Sequence, residues 1–195
     1  MKNIQLFPTT VWETYLNLDL DELRREIYNF SKATPSKNLS NIGGYQGHCF
    51  DYKPLIDAIK YNVPCYEDPE LGDLFFSTWV NINKRGNSNK RHTHSTGITF
   101  LSGVYYVTVP KNSGNIVFFD PKSMLFETTP DGDYYRRSHS EVCEPKENML
   151  LLFPSWLEHE VEPNNTDEDR ISISFNLIRK NDLDNLQHVY SFETM

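Results

Sequence analysis

The sequence predicts a mainly β barrel or sandwich supported by N-terminal helices, and three observations carry that reading. Short segments rich in Val, Ile, Tyr and Phe recur from Leu74 onward, each bounded by turn residues. Aromatic residues make up 13% of the chain, supplying the large side chains that fill such a fold. Helical spacing of apolar residues is confined to the part before Leu74. At 195 residues the simplest organisation is one domain, 1–195. Within it, 1–73 is a mixed helical support, 74–180 the β core and 181–195 a C-terminal tail.

Taken in order, "IQLFPTTVWETYLNL" places β-branched and aromatic residues around a proline and reads as two short strands. "DLDELRREIYNFSKA" then changes period. Leu20, Leu23, Ile27 and Phe30 fall on one helical face, and Asp19, Asp21 and Glu22 stand where the helix dipole favours negative charge. "SKNLSNIGGYQGHCFDY" reads as loop, and "KPLIDAIKYNV" as a second helix with Pro54 in its first turn. The strands follow at "LFFSTWVNIN", "ITFLSGVYYVTV", "NIVFFD", "SEVCEP", "MLLLF", "HEVEP" and "RISISFNLI". "PKNSGN" reads as a hairpin connection. "FDPKSMLFETTPDGDYYRRSH" is too long for a tight turn and is expected to cover one mouth of the barrel.

Composition narrows the function. Net charge is −8 with only three small basic pairs, Lys84-Arg85, Lys90-Arg91 and Arg136-Arg137, which argues against tracking a nucleic-acid backbone. No apolar run approaches the length of a membrane span, and the N-terminal stretch lacks the features of a signal peptide, so a soluble cytoplasmic protein is expected. Cys49, Cys65 and Cys143 are odd in number and far apart, so they read as reduced packing residues rather than a disulfide framework or thiolate zinc site.

Three stretches bear on chemistry. In "NKRHTHSTG", extended backbone would send His92 and His94 to one face, as metal ligands or as two polar residues at an exposed strand end. In "MLLLFPSWLEHEVEPNN", a proline turn precedes His159, which is either a third imidazole delivered to the same mouth or a surface histidine among acids. Imidazole suits Fe(II), Zn, Cu and Ni alike, so ligand type alone selects no metal. In "DRISISFNLI", Arg170, Ser172, Ser174 and Asn176 share one face, and Ile171, Ile173, Phe175 and Leu177 the other. The polar face lines a cavity or meets water. An arginine fork beside small hydroxyls matches a carboxylate.

A His pair, a later His and an Arg-x-Ser eleven residues beyond it resemble the 2-oxoglutarate and Fe(II)-dependent oxygenases. The likeness is strongest to the small prolyl-hydroxylase-like branch found in bacteria and phages, and spans Leu74 to Leu177. It is carried by "RHTHSTGITFLSGVYYV", "NIVFFDP" and "LLLFPSWLEHEVEPNNTDEDRISISFN". The resemblance implies a double-stranded β-helix of jelly-roll or cupin-like form. It also implies Fe(II), 2-oxoglutarate and dioxygen as cofactor and cosubstrates, decarboxylation of 2-oxoglutarate to succinate, and hydroxylation of a small-molecule or peptidyl substrate.

By the same resemblance His92 and His159 match iron ligands, and Arg170, assisted by Ser172, the anchor for the far carboxylate of 2-oxoglutarate. His94 stands where the family usually carries Asp or Glu. It either ligates, giving a His92, His94, His159 triad, or lies behind the ligands, or marks lost iron binding; Asp120 is the nearest alternative carboxylate. Tyr106 matches a position where relatives place a hydroxyl near the cosubstrate, and is equally readable as aromatic core. Asn81, sharing a face with Trp79 and Asn83, lines the cosubstrate cavity or serves only structure. "FPSWLEH" is expected to fix the turn presenting His159, with Trp156 packing on it or shaping the entrance. Two other readings compete: a cupin-type metal enzyme without 2-oxoglutarate, which would leave Arg170 without a purpose, and a non-catalytic jelly-roll binding module.

Overall fold

The computed structural model describes residues 8–63, 73–121, 140–179 and 182, together with the backbone of two short strands at 127–128 and 134–135. Among the described residues, thirteen strands and two helices run in the order β1 Trp12–Tyr15, α1 Leu20–Ala33, β2 Asn41–Ile42, β3 Tyr45–His48, α2 Lys53–Asn62, β4 Leu74–Asn83, β5 Ser88–His92, β6 Thr99–Thr108, β7 Ile116–Phe119, β8 Glu127–Thr128, β9 Tyr134–Tyr135, β10 Ser140–Cys143, β11 Met149–Pro154, β12 His159–Val161 and β13 Arg170–Arg179.

All the strand pairings are antiparallel. One sheet has the order β1-β11-β6-β13-β4-β3, the second β10-β7-β12-β5-β2, and β8 pairs with β9. Consecutive core strands alternate between the two large sheets, β4 to β5, β6 to β7 and β11 to β12, which winds the chain into a double-stranded β-helix.

Both helices stop and start where the sequence says they should. Asp19 caps α1, its carboxylate accepting from the backbone N–H of Asp21 and Glu22 at 3.0 and 2.9 Å. Leu23 and Ile27 are fully buried under it. Arg24 fastens the same helix to the sheet, donating to Thr108 Oγ1 and the Val107 carbonyl and pairing with Glu147. Pro54 sits in the first turn of α2, where its missing N–H costs nothing.

The six-stranded sheet is covered on both faces, which explains its near-continuous apolar strands. Leu150 and Leu152 of β11, Tyr105 and Val107 of β6, and Ile171 and Ile173 of β13 join Leu23, Ile27, Leu55 and Ile59 in one cluster beneath the helices. Met149, Leu151 and Phe153, with Val104 and Tyr106, turn the other way into the space between the sheets. The period-2 reading of β13 therefore holds: its aliphatic face packs on the helical side, and its polar face turns to the interior.

The structure corrects several expectations. The stretch taken as loop contains β2 and β3, because edge strands of two and four residues are too short to show a period. "PKNSGN" joins β6 to β7, which lie in different sheets, so it is a corner and not a hairpin connection. Gly114 in that corner has φ +90, and a side chain there would meet the Glu162 carbonyl oxygen at 2.4 Å. One of the two short strands expected in the N-terminal stretch is β1, and residues 4–7 of that stretch lie outside the described residues. Cys49 is exposed rather than packed, while Cys143 is half-buried; Cys65 lies outside the described residues. So do most of the long segment expected over the barrel mouth and most of the tail. No helix among the described residues is long and apolar enough to cross a membrane.

Candidate functional site

Strand pairing, not sequence proximity, assembles the site. In the five-stranded sheet β12 pairs with β5, with His159 opposite His92. His94 follows two residues after His92, beyond the end of the strand, where its backbone N–H donates to the Ser155 carbonyl at 2.9 Å. The same turn is closed by the Leu157 N–H donating to the Pro154 carbonyl, and Ser155 Oγ donates to the Thr99 carbonyl at 2.7 Å. "PSWL" thus positions both His94 and His159, through Ser155 and Leu157. Trp156 is about half exposed and lines none of the cavities described below.

The three imidazoles are mutual neighbours, with ring centroids 4.8 Å apart for His92–His94, 4.4 Å for His92–His159 and 5.1 Å for His94–His159. Their ligand nitrogens lie within 4.8 Å of one another, close enough to share one cation, and they are the only such group among the described residues. Asp120, the carboxylate weighed as an alternative, is not in it. His92 Nδ1 donates to the Lys90 carbonyl at 2.6 Å and His159 Nδ1 to the Leu157 carbonyl at 2.9 Å. A carbonyl only accepts, so the proton of each ring sits on Nδ1 and Nε2 keeps its lone pair for a metal.

Burial favours the ligand form of all three. It lowers the His94 pKa to about 3 and the His159 pKa to about 4, the neighbouring imidazoles pushing further in the same direction; burial also lowers His92. Neutral rings are what a cation binds.

Across the interior, the six-stranded sheet presents a polar row. Ser172 of β13 is in register with Asn81 of β4 on one side and Tyr106 of β6 on the other, and Arg170 is in register with Asn83. These four predicted residues, Arg170, Ser172, Tyr106 and Asn81, line one narrow cavity with His92, His94 and His159, with a volume of about 30 Å³. Arg170 is 2% exposed, and its Nε has no hydrogen-bond partner. Its guanidinium carbon lies 5.3 Å from the centroid of the Tyr106 ring, and the Tyr106 hydroxyl is likewise buried and unpartnered. Burial lowers the Arg170 pKa and raises that of Tyr106. Arg170 makes no ion pair among the described residues. A buried cation of this kind is costly unless an anion joins it.

Asn81 is tied into structure as well as facing the cavity. Its side-chain amide donates to Ser174 Oγ at 3.0 Å and accepts from Gln46 Nε2 at 3.3 Å. Gln46 and His48, on edge strand β3, extend the polar face one strand further, opposite Asn81 and Trp79. Neither was singled out from sequence. The i, i+2 spacing in "YQGH" was the available signal, but a four-residue strand does not declare itself.

Fold and site together define a barrel whose interior cavity is lined by a convergent imidazole cluster beside one sheet and by a buried guanidinium from the other. The chain belongs to the family described as "Putative 2OG-Fe(II) oxygenase", whose model matches residues 77–176. It is accordingly an enzyme of the 2-oxoglutarate and Fe(II)-dependent oxygenases, with the cofactors of that family. No curated protein matches the sequence. Solved structures share the fold at low identity. A Pseudomonas putida prolyl-4-hydroxylase aligns with TM-score 0.61 at 17% identity, over 88% of this chain and 94% of that one. HygX from Streptomyces hygroscopicus, with nickel and 2-oxoglutarate bound, aligns with TM-score 0.61 at 9% identity, over 88% and 84%. The viral collagen prolyl hydroxylase of Paramecium Bursaria Chlorella virus-1, in complex with 2-oxoglutarate, gives TM-score 0.54 at 13% identity, over 86% and 94%.

Proposed function

We propose that the protein is a 2-oxoglutarate-dependent hydroxylase in which His92, His94 and His159 hold Fe(II) and Arg170, with Ser172, binds the far carboxylate of 2-oxoglutarate. The observation that carries this reading is the lone buried guanidinium facing the imidazole cluster across one cavity. A site built only to bind metal has no use for that charge; a dicarboxylate spanning metal and arginine uses both ends. We further propose that 1–195 works as one domain, with 1–73 bracing the barrel and 181–195 as a tail.

The residues of the site fit these groups. Nε2 of His92 and His159 is oriented by backbone carbonyls, and His94 is held by its backbone bond to Ser155 and by its ring against Trp79, 5.3 Å between centroids. Three neutral rings leave the metal its full 2+ charge, where a carboxylate in the position of His94 would reduce it. Bound iron, 2-oxoglutarate and dioxygen together supply the oxidising chemistry, which yields succinate, CO2 and a hydroxylated product. The chain supplies the rest. Arg170 is a fixed planar donor for a carboxylate, with the Ser172 and Tyr106 hydroxyls as neighbours, and the apolar wall of Val104, Ile116 and Phe153 excludes water. A cavity of about 30 Å³ holds little more than a water or two, so a five-carbon diacid enters only as side chains in this wall turn aside. The prime substrate is a peptidyl or free amino acid, proline by default, and its hydroxylation is read as a 16 Da gain by mass spectrometry.

The direct test is anaerobic calorimetry with Mn(II), then 2-oxoglutarate, followed by measurement of succinate when Fe(II) and air are supplied. Metal-dependent binding of 2-oxoglutarate with succinate formation is expected. Metal binding with no response to 2-oxoglutarate would favour a cupin-type enzyme, and binding of neither would leave a non-catalytic jelly-roll module.

A further inference from the structure

Beside the metal cluster lies a second, wider cavity of about 360 Å³, within the range of small-ligand sites, and it shares His92, His94 and Trp79 with the first. Its character differs from the protein as a whole. Among the described residues no Asp or Glu lines this cavity, while Lys90 stands exposed at its rim. The acidic groups gather elsewhere: a groove of about 950 Å³ includes Glu13, Asp120, Glu141 and Glu144 and none of the three histidines.

One wall is aromatic. His48 stacks on Trp79 with centroids 5.7 Å apart and planes within 15°, and Trp79 in turn meets His94. Within that wall are two buried polar atoms without a hydrogen-bond partner, Gln46 Oε1 and His48 Nε2. Gln46 is 2% exposed, so its unpaired atom is not satisfied by bulk water. Because Gln46 and His48 are two residues apart on β3, they present these atoms on one face. An amide acceptor beside an imidazole nitrogen, which donates in one tautomer and accepts in the other, matches the N–H and C=O of a peptide backbone.

We infer that this cavity takes the prime substrate as an acidic peptide segment. A ring or aliphatic side chain lies on the Trp79–His48 wall, backbone amide groups pair with Gln46 and His48, and a carboxylate of the segment meets Lys90. The segment is thereby held with one side chain against His92 and His94. This rests on the hydroxylase reading above and names the substrate class that reading leaves open. It also reverses the expectation from net charge alone, since an overall −8 would favour a basic partner.

The test is an NMR titration of the full chain, metal-free and loaded with Mn(II), with three capped tripeptides that differ only in charge: acetyl-Asp-Pro-Asp-amide, acetyl-Ala-Pro-Ala-amide and acetyl-Lys-Pro-Lys-amide. The acidic peptide is expected to bind about fivefold or more tightly than the basic one, as a rim ion pair and its like-charge counterpart allow. Lys90→Glu should invert that order, and Gln46→Leu should weaken all three. Because Lys90 is exposed, its variant decides the question even if Gln46→Leu fails to fold. Equal or tighter binding of the basic peptide, an order unchanged by Lys90→Glu, or binding of none of the three would overturn the inference. The two readings fail separately: a charge-ranked peptide series in a protein that ignores Mn(II) and 2-oxoglutarate would sink the hydroxylase reading and leave only a peptide-binding cavity, whereas no charge ranking in a protein that binds both would overturn this inference alone.

Discussion

Replacing Arg170 with methionine should do two opposite things at once. Methionine keeps an unbranched apolar stem in the cavity and removes the charge. In the metal-loaded protein the far carboxylate of 2-oxoglutarate then loses its buried partner. Breaking one side of such a pair costs about 3–5 kcal/mol, so the Kd of 2-oxoglutarate should rise by roughly two to nearly four orders of magnitude. In the ligand-free protein the same change removes a guanidinium that is 2% exposed, with an unpartnered Nε and no ion pair among the described residues. Relief of that burial is offset by loss of the contact with the Tyr106 ring, which lies at 5.3 Å and is worth about 1 kcal/mol. The net gain is about 1–2 kcal/mol, or roughly 2–8 °C in Tm for a chain of this size. Calorimetric titration measures the first effect and a thermal melt without ligand the second. A variant that binds 2-oxoglutarate normally, or that melts well below wild type, would refute the argument, because either result means the guanidinium is already satisfied within the protein.

Four further outcomes follow from the geometry. His159→Ala should weaken Mn(II) binding by more than about 100-fold, beyond the usual effect of losing a group behind the ligands. His94→Asp should bind the ion at least as well as wild type, and His94→Ala worse than either, when all are compared by calorimetry. The metal-free protein should lose stability as pH falls below about 6.5, because its histidines take up protons in the unfolded chain before they do in the folded one. His159, lowered from 6.5 to about 4, contributes on the order of 3 kcal/mol that is present above pH 6.5 and gone below about pH 4. Denaturant melts across that range check it, and a flat profile would count against buried neutral imidazoles. Gly103→Ala should destabilise by about 1–3 kcal/mol, since the new methyl would lie 2.4 Å from Phe175 Cζ and 2.7 Å from the Leu151 carbonyl oxygen; a thermal melt reports it.

Local pattern carried a good part of this protein. β4 begins and ends where its alternation does, at Leu74 and Asn83, and α1 begins at its Asp19 cap. β13 could be split into an aliphatic and a polar face before any partner was known, because side chains alternate strictly along a strand. The same rule placed Arg170 and Ser172 together and made His92 and His94 candidates for one face.

What alternation cannot say is which strand lies alongside. That His159 falls opposite His92 is a matter of register between β12 and β5, set by packing across the two sheets. Whether β6 turns back as a hairpin or crosses to the other sheet depends on which pairing buries Tyr106 and Ile116 together, and the turn residues of "PKNSGN" suit both. β3 escaped notice because four residues show too little period, yet it brings Gln46 and His48 beside Asn81 and Trp79. The chain by itself determined the chemical groups and the face each occupies, since those follow from local geometry. Only the tertiary structure decided their meeting across the barrel, because register and sheet order are properties of distant segments packed together.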